Sequence, residues 1–233
     1  MWNRQELKAR GKDAFKRNYW PCVGAAFILG IVTASSGGSA RGGSDNGESF
    51  KDLFTNASEA MGISVGALIG LIVGIIGVGL VIGLVLTWFV KNPFIVGCKS
   101  FFLKNSGEYA NFGCVMDGFR GNYGKVVVTM FLKGLFEFLG TILFVIPGII
   151  LAYSFRMVPY ILAENPDMEA TEVLKLSRSM MQGNKWNAFV LDLSFLGWIL
   201  LTICTCGILG IFYVNPYIYA TDAELYQAIK SGN

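Results

Sequence analysis

The chain has 233 residues, of which 53% are hydrophobic and only 15% are charged, whereas a soluble domain averages about 25% charged residues. A soluble core of this size cannot shield an apolar run as long as residues 61–90 from water, so the composition excludes an ordinary soluble domain. The net charge of +3 is small, and its distribution along the chain is more informative than its sum.

The chain starts with a basic amphipathic segment, residues 1–18, which carries six of the 19 Lys and Arg residues. Anionic lipid attracts cations beside a membrane span, so we expect a helix at the cytoplasmic surface. The apolar run Tyr19–Ala34 is predicted to be the first transmembrane helix. A cleavable signal peptide is the alternative for such a start. The recurrence of the motif Asn18-Tyr19-Trp20 later in the chain argues against it.

Glycines are regularly spaced in the second predicted span, residues 61–90, which follows a Gly/Ser-rich outer loop at residues 35–60. A glycine at every fourth position of a helix makes a groove on which another backbone can pack closely. Packing within one molecule, self-association and the lining of a pore are three explanations of this spacing. The glycines are Gly62, Gly66, Gly70, Gly74, Gly79 and Gly83.

Two more helix pairs follow. Residues 121–164 are expected to turn at Pro147-Gly148, and residues 184–230 are expected to turn at Cys206-Gly207. Residues 94–120 are predicted to be a cytoplasmic connector between the first pair, residues 19–93, and the second.

A second amphipathic helix is predicted within residues 165–183, on the cytoplasmic side. One face of this helix is apolar and the opposite face is charged, so we expect it to lie along the inner membrane surface. The apolar face comprises Val173, Leu174, Ser177, Met180 and Met181.

Similar motifs open and close each helix pair. The pairs open at Asn18, Asn122 and Asn184, and they close at Pro93, Pro159 and Pro216. We therefore predict an all-α, polytopic membrane helix bundle of six transmembrane helices, arranged as three pseudo-repeated hairpins in one domain, residues 1–233, with amphipathic surface helices. The prolines are expected to bend the helix ends, either to steer the chain out of the membrane or to form a gate.

The distribution of cations predicts the orientation. Of the 19 Lys and Arg residues, 15 fall in the segments assigned to one side, and the predicted outer loop contains only Arg41 and Lys51. Because cytoplasmic segments are enriched in Lys and Arg, we predict a multi-pass protein of the cell membrane with both termini in the cytoplasm.

Several motifs resemble the bacterial domain-of-unknown-function family 975. They include Ile146-Pro147-Gly148-Ile149-Ile150, the segments 156–163, 174–178 and 191–198, and Val214-Asn215-Pro216-Tyr217. The likeness covers most of the chain and is densest over residues 146–220. It implies an integral membrane protein of unknown function, from a family found mostly in Gram-positive bacteria. A more distant likeness connects the chain to the membrane domain of some glycerophosphodiester phosphodiesterases. Neither likeness supplies a catalytic residue.

Lys133, Glu137, Arg156 and Asp192 are charged residues that lie inside the predicted spans. Each costs about 2.5–3.5 kcal/mol if it is left unpaired in hydrocarbon. Counted from the turn expected at Pro147, Glu137 and Arg156 reach nearly the same depth, so we predict an ion pair between them, completed by Lys133 or Asp192. The cluster is interpreted either as a structural lock or as a site for a polar substrate or a proton. Asp192 has the further option of reaching the inner surface.

Motifs typical of enzymes are absent from the sequence. There is no histidine, which removes most zinc sites and Ser-His triads, and no Walker A loop, dinucleotide motif or G-x-S-x-G elbow occurs. We predict no enzymatic activity, no cofactor or metal, and no nucleic-acid partner. The five cysteines are expected to be reduced and packed: Cys22, Cys98, Cys114, Cys204 and Cys206.

Two functions fit these features. The first is a non-enzymatic membrane module that binds partner proteins or lipids, with self-association through the glycines and a transport role as an added option. The alternative is a transporter of a small molecule or lipid that uses the inner charge cluster. A hydrated cavity that touches Lys133, Glu137, Arg156 and Asp192 would favour transport, and a saturated ion network beside an exposed glycine face would favour the module.

Overall fold

The computed structural model describes residues 2–34 and 64–232. The described residues are largely helical, with no strand among them, which confirms the all-α fold class. The α-helices are α1 (Arg4–Arg17), α2 (Tyr19–Ala34), α3 (Val65–Gly107), α4 (Asp117–Arg120), α5 (Tyr123–Leu143), α6 (Val145–Ser154), α7 (Val158–Glu164), α8 (Ala170–Met180), α9 (Lys185–Leu193), α10 (Leu196–Cys204) and α11 (Asn215–Ser231). A 3₁₀ turn, Phe112–Met116, precedes α4, and a π-helix, Gly210–Val214, precedes α11.

The chain divides into two compact units, one of residues 1–36 and 90–233, the other of residues 37–89. The part of α3 before Val90 forms the described part of the smaller unit. The predicted outer loop 35–60 and Gly62 lie outside the described residues. The larger unit contains the ion pairs and the cavity that are described below.

Among the described residues, three helical stretches are long and apolar enough to cross a membrane: Tyr123–Leu143, Val145–Glu164 and Lys185–Cys204. Two shorter apolar helices occur at Tyr19–Thr33 and Ile69–Gly79. Large apolar side chains on the long stretches are exposed, for example Leu143 at 73%. Such surfaces need lipid around them, so the chain is a membrane protein. The six-span arrangement and its orientation remain predictions.

The buried core of the larger unit includes residues of the candidate spans and also residues of less apolar helices such as α1 and α11. Helix α1 packs along α11, and Gly11 allows this approach because a Cβ there would collide with the backbone of Thr221. Large side chains that are almost fully buried include Phe15, Phe101 and Tyr226. Much of the packing energy of this unit therefore lies outside the three candidate spans.

Helix α8 forms where the periodicity predicts it, and its predicted apolar face is fully or nearly fully buried. This face contacts other helices of the protein, and the Ser177 hydroxyl donates a hydrogen bond of 2.9 Å to the carbonyl of Ser154. The apolar face therefore packs against protein, and the position of α8 at the inner membrane surface stays a prediction. An apolar stripe predicts burial, but it does not distinguish protein from lipid as the burying medium.

The turn of the second helix pair lies at Phe144, three residues before the predicted position. Phe144 is extended, with φ −159° and ψ 145°, and α6 already includes Pro147 and Gly148. A Cβ on Gly140 would contact Leu151, and one on Gly148 would contact Thr141. These contacts place the centre of the turn near residue 144. In the third pair, Cys206 and Gly207 have positive φ values of 52° and 87°, as expected for a tight turn there.

The three repeat prolines occupy two kinds of position. Pro93 lies inside α3, whereas Pro159 and Pro216 lie in the first turns of α7 and α11. Pro159 follows the helix interruption at residues 155–157, and Pro216 follows the π-helix, so the bending of the chain at the three prolines stays a prediction. Proline suits the first turn of a helix because its missing N–H has no helical acceptor there.

The three repeat asparagines each immediately precede a helix. The carbonyls of Asn18, Asn122 and Asn184 accept the first helical hydrogen bond from the residue four positions later, at 3.1, 3.1 and 2.9 Å. Their side chains have different partners: Asn18 binds Asn105, Asn122 binds Asp167, and Asn184 binds the carbonyl of Met180. The local motif thus recurs in three different surroundings, and the superposition of the three hairpins remains a prediction.

Candidate functional site

Arg156 lies in a helix interruption at residues 155–157, between α6 and α7. The amide of Phe155 still bonds back to the carbonyl of Leu151, and the chain then re-enters a helix at Val158. The interruption directs the guanidinium of Arg156 toward α9 and α11, where it meets two carboxylates. Its side chain is 17% exposed.

The guanidinium of Arg156 binds Asp192 of α9 at two points. The Nη1 atom donates to Oδ2 at 2.7 Å, and the Nη2 atom donates to Oδ1 at 2.8 Å. The Tyr153 hydroxyl donates a third hydrogen bond, of 2.7 Å, to the Oδ2 atom of Asp192. A two-point Arg–carboxylate pair fixes orientation as well as charge. Arg156 and Asp192 were both predicted from the sequence as members of a charge cluster, and the structure brings them together.

Two further members of the cluster, Asp222 and Lys99, were not predicted from the sequence. Arg156 Nη2 also donates to Asp222 Oδ1 of α11 at 2.6 Å, and the other oxygen of Asp222 lies 3.6 Å from Lys99 Nζ of α3. Asp222 fell inside the predicted sixth span, so the cost of an unpaired charge was a signal that it needed a partner. Lys99 was assigned to the cytoplasmic connector, and nothing local marked it.

We call these four residues, Lys99, Asp222, Arg156 and Asp192, the ion network. Their charges alternate along the chain of contacts and sum to zero, and they connect α3, the α6–α7 interruption, α9 and α11. The Lys99 ammonium also lies 5.1 Å from the ring centroid of Tyr160 and 4.6 Å from that of Tyr219, which stabilises a buried cation. Burial lowers the pKa of Lys99, and the Asp222 carboxylate opposes that effect.

The predicted contact between Arg156 and Glu137 does not form, and that prediction is wrong. Glu137 pairs instead with Lys133, four residues earlier on α5, at 3.1 Å. With the turn at Phe144, the residue opposite Glu137 is near position 151. Arg156 is five residues farther along, which is about 7.5 Å at the rise of an α-helix. The four predicted charges therefore form two separate groups.

Carbonyl groups at the helix interruptions are also paired. The Lys8 ammonium donates to the carbonyl of Ser194, between α9 and α10, at 3.2 Å. The carbonyl of Ser154, before the α6–α7 interruption, accepts from Ser177. Side chains from other helices thus take the place of the helical hydrogen bonds lost at both interruptions.

A groove of about 980 Å³ lies elsewhere in the larger unit. It is bordered by the end of α3, the 3₁₀ turn, α4, the end of α7 and the end of α11, and its lining includes Ser100, Lys104, Asp117, Glu164 and Lys230. Lys104 pairs with Asp117 at 2.6 Å, and Lys230 pairs with Glu164 at 2.7 Å. The hydrogen bond to Asp117 raises the pKa of Lys104. None of Lys133, Glu137, Arg156 and Asp192 lines this groove.

The glycines of α3 separate into two sides of the helix. At about 100° per residue, Gly66, Gly70, Gly74 and Gly77 share one side, which we call the glycine face. The five-residue step from Gly74 to Gly79 places Gly79 and Gly83 on the other side, so the six predicted glycines do not form one groove. The glycine face is exposed, and a Cβ built on any of its four glycines would meet no described atom of the smaller unit within 4 Å.

The cysteines only partly follow the prediction that they are packed. Cys22 and Cys98 are buried, Cys114 is partly buried, and Cys204 and Cys206 are exposed at the turn between α10 and the π-helix. Within the described part of the chain, no group of three or more His, Cys, Asp and Glu residues is placed to hold a metal ion.

Of the comparisons with known proteins, only the one with protein families gives a match. No curated protein and no solved structure matches the chain, and the likeness to the membrane domain of glycerophosphodiester phosphodiesterases remains a prediction. A family model described as "Protein of unknown function (DUF975)" matches residues 68–233. The match includes all four residues of the ion network and covers more than half of the chain, and the protein therefore belongs to the DUF975 family.

Proposed function

We propose that this protein is a non-enzymatic membrane module that binds other proteins within the bilayer, and that a second copy of the chain is one such partner. The closed ion network is the observation that carries the proposal. Each carboxylate of the network is bound by a cation, and Arg156 is engaged by two carboxylates at once.

A closed network of this kind supports a fixed scaffold. Separating Arg156 from Asp222 would leave two uncompensated charges in a largely buried place, and removing one partner of a buried pair typically costs about 3–5 kcal/mol. If the cluster were itself the transport site, its charges would have to release their protein partners in the state that binds the substrate. The groove adds no support for transport through the predicted cluster, because its lining includes none of the four predicted charges.

The glycine face supplies a surface for association. Each glycine costs about 1 kcal/mol relative to alanine in a helix interior, and four of them share one exposed side of α3. Close contact between helix backbones in the membrane offsets this cost, because small residues allow van der Waals contact over a long interface. Apolar neighbours such as Ile69, Val73 and Ile76 are about half exposed and would complete such an interface.

The test is co-purification of two differently tagged copies from one membrane, with the mass of the complex measured by light scattering in detergent. Gly70→Leu places a bulky side chain on the glycine face. Gly79→Leu makes the same change nine residues later, about 180° around the helix, and is the matched control. We expect Gly70→Leu to abolish co-purification and Gly79→Leu to preserve it.

A monomeric wild-type protein would contradict self-association. A wild-type monomer whose thermal stability falls in Gly70→Leu but not in Gly79→Leu would assign the glycine face to packing within one molecule. Equal loss of association in both variants would also contradict the proposal, because the interface would then not depend on the glycine side of the helix.

A further inference from the structure

The six cations of α1 divide into two groups by their contacts. Arg10 pairs with Glu224 at 2.7 Å, Arg17 donates to the carbonyl of Asn105 at 2.5 Å, and Lys8 donates to Ser194. Arg4, Lys12 and Lys16 are exposed, and the side chain of none of them pairs with another residue in the described ranges 2–34 and 64–232. Lipid attraction and topology were the roles expected for all six cations, whereas three of them bind other parts of the fold.

The three exposed cations form a line with Lys8. Arg4, Lys8, Lys12 and Lys16 are spaced four residues apart, so they follow one flank of α1 at intervals of about 6 Å. We call this line the basic row. The two acids of the helix, Glu6 and Asp13, lie about a third of a turn away on the other flank. The basic row therefore carries one sign of charge along its whole length.

The basic row borders the apolar surface of a candidate membrane span. Besides its hydrogen bond to Ser194, the Lys8 ammonium lies 4.4 Å from the ring centroid of Phe195. Ser194 and Phe195 both belong to the stretch Lys185–Cys204. Leu193 and Leu196, directly beside them in the chain, are about half exposed. Lys8 thus fixes the row where an apolar, lipid-facing surface meets a polar helix.

We propose that the basic row binds the phosphate groups of anionic phospholipids. A helix with cations beside an apolar surface lies at the level of the lipid head groups, and an anionic lipid surface attracts each nearby Lys or Arg. Phosphates and Lys ammonium groups attract as point charges without a rigid geometry, which suits flexible, exposed side chains. The proposal concerns a different helix from the glycine face and does not depend on self-association.

The test is titration of the full-length protein in detergent with dioleoylphosphatidylglycerol, followed by native mass spectrometry. Lys12→Gln/Lys16→Gln removes two charges from the row. Lys175→Gln/Arg178→Gln removes two exposed charges from α8 and is the matched control. Because each cation near an anionic surface strengthens association about fivefold, we expect the row variant to bind the lipid about 25-fold more weakly than wild type. The control variant is expected to bind like wild type.

Four further results decide the proposal. Dioleoylphosphatidylcholine, which has no net charge, should bind wild type and the row variant alike, and binding of phosphatidylglycerol should weaken as salt is raised. Equal binding of the anionic lipid by wild type and the row variant, each with unchanged helix content, would overturn the proposal. Inorganic phosphate that competes at the same concentration as the lipid would identify a general anion site and would also overturn it.

Discussion

Arg156 and Asp222 are 66 positions apart in the sequence, and their charged atoms are 2.6 Å apart in the structure. Both side chains are less than one-fifth exposed. The contact joins the α6–α7 interruption to α11, while the second carboxylate on Arg156, that of Asp192, comes from α9. One guanidinium thus links the α6–α7 interruption to α9 and to α11, which are far apart in the sequence.

The first prediction is that Arg156 and Asp222 are energetically coupled. Arg156→Met should lower stability in detergent by about 3–5 kcal/mol, because it leaves the two carboxylates without their main counter-charge. Asp222→Asn in that background should cost much less than it does alone. Thermal unfolding and denaturant titration of both single variants and the double variant measure the coupling.

The matched control replaces Asp222→Asn with Glu137→Gln. Glu137 pairs with Lys133 and makes no ion pair with Arg156, so its effect should add to that of Arg156→Met within about 0.5 kcal/mol. Strong coupling in this second cycle would show that the two charge groups interact after all.

The second prediction concerns the contact between α3 and the segment that precedes α5. Gly97 of α3 and Gly118 of α4 allow these two segments to pack closely. A Cβ on Gly97 would collide with the carbonyl of Val115, and a Cβ on Gly118 would collide with the carbonyl of Pro93. We expect Gly97→Ala to destabilise the protein by about 1–3 kcal/mol or more, because backbone cannot move aside as a side chain can.

Gly124→Ala is the control for this substitution. Gly124 lies in the first turn of α5 with no described atom within 4 Å of a built Cβ, so the change should be neutral or stabilising by up to about 1 kcal/mol. If Gly97→Ala and Gly124→Ala both changed the thermal unfolding temperature only slightly, α3 and the segment before α5 would not be packed as closely as these contacts indicate.

The third prediction concerns the buried amide pair of Asn105 and Asn18. Asn105 Nδ2 donates to the carbonyl of Ala14 at 2.8 Å, and its Oδ1 accepts from Asn18 at 2.9 Å. Asn105→Ala leaves these buried groups without partners, which should cost about 1–3 kcal/mol. Asn122→Ala removes an exposed amide that binds Asp167 and should change stability by about 0.5 kcal/mol or less. Equal effects of the two substitutions in denaturant titrations would refute this ranking.

The fourth prediction is the orientation in the membrane. In a parent whose five cysteines are replaced by serine, Ser39→Cys should react with an impermeant maleimide in intact cells, whereas Ser231→Cys should react only after lysis. The excess of Lys and Arg on the side of the termini is the physical reason. Ser39 itself lies outside the described residues. Labelling of Ser231→Cys alone in intact cells would reverse the orientation.

Local patterns in the sequence predicted local structure well. The apolar periodicity of residues 173–181 predicted the face of α8 that is buried, and Asn18, Asn122 and Asn184 each mark a helix start. The turn at Cys206-Gly207 followed from the conformational freedom of glycine. The turn at Pro147-Gly148 was misplaced by three residues, because proline suits the first turn of a helix as well as it suits a loop.

What the sequence determined by itself is the class of protein, its helices and the need of its charged residues for partners, because composition, periodicity and the cost of burial are properties of short segments. Only the tertiary structure decided which partners those charges take. The helix interruption at residues 155–157 and the position of the turn at Phe144 direct Arg156 to Asp192 and Asp222 instead of Glu137. A shift of a few residues in one turn changes depth by about 1.5 Å per residue, and no local pattern records which distant helix then lies within reach.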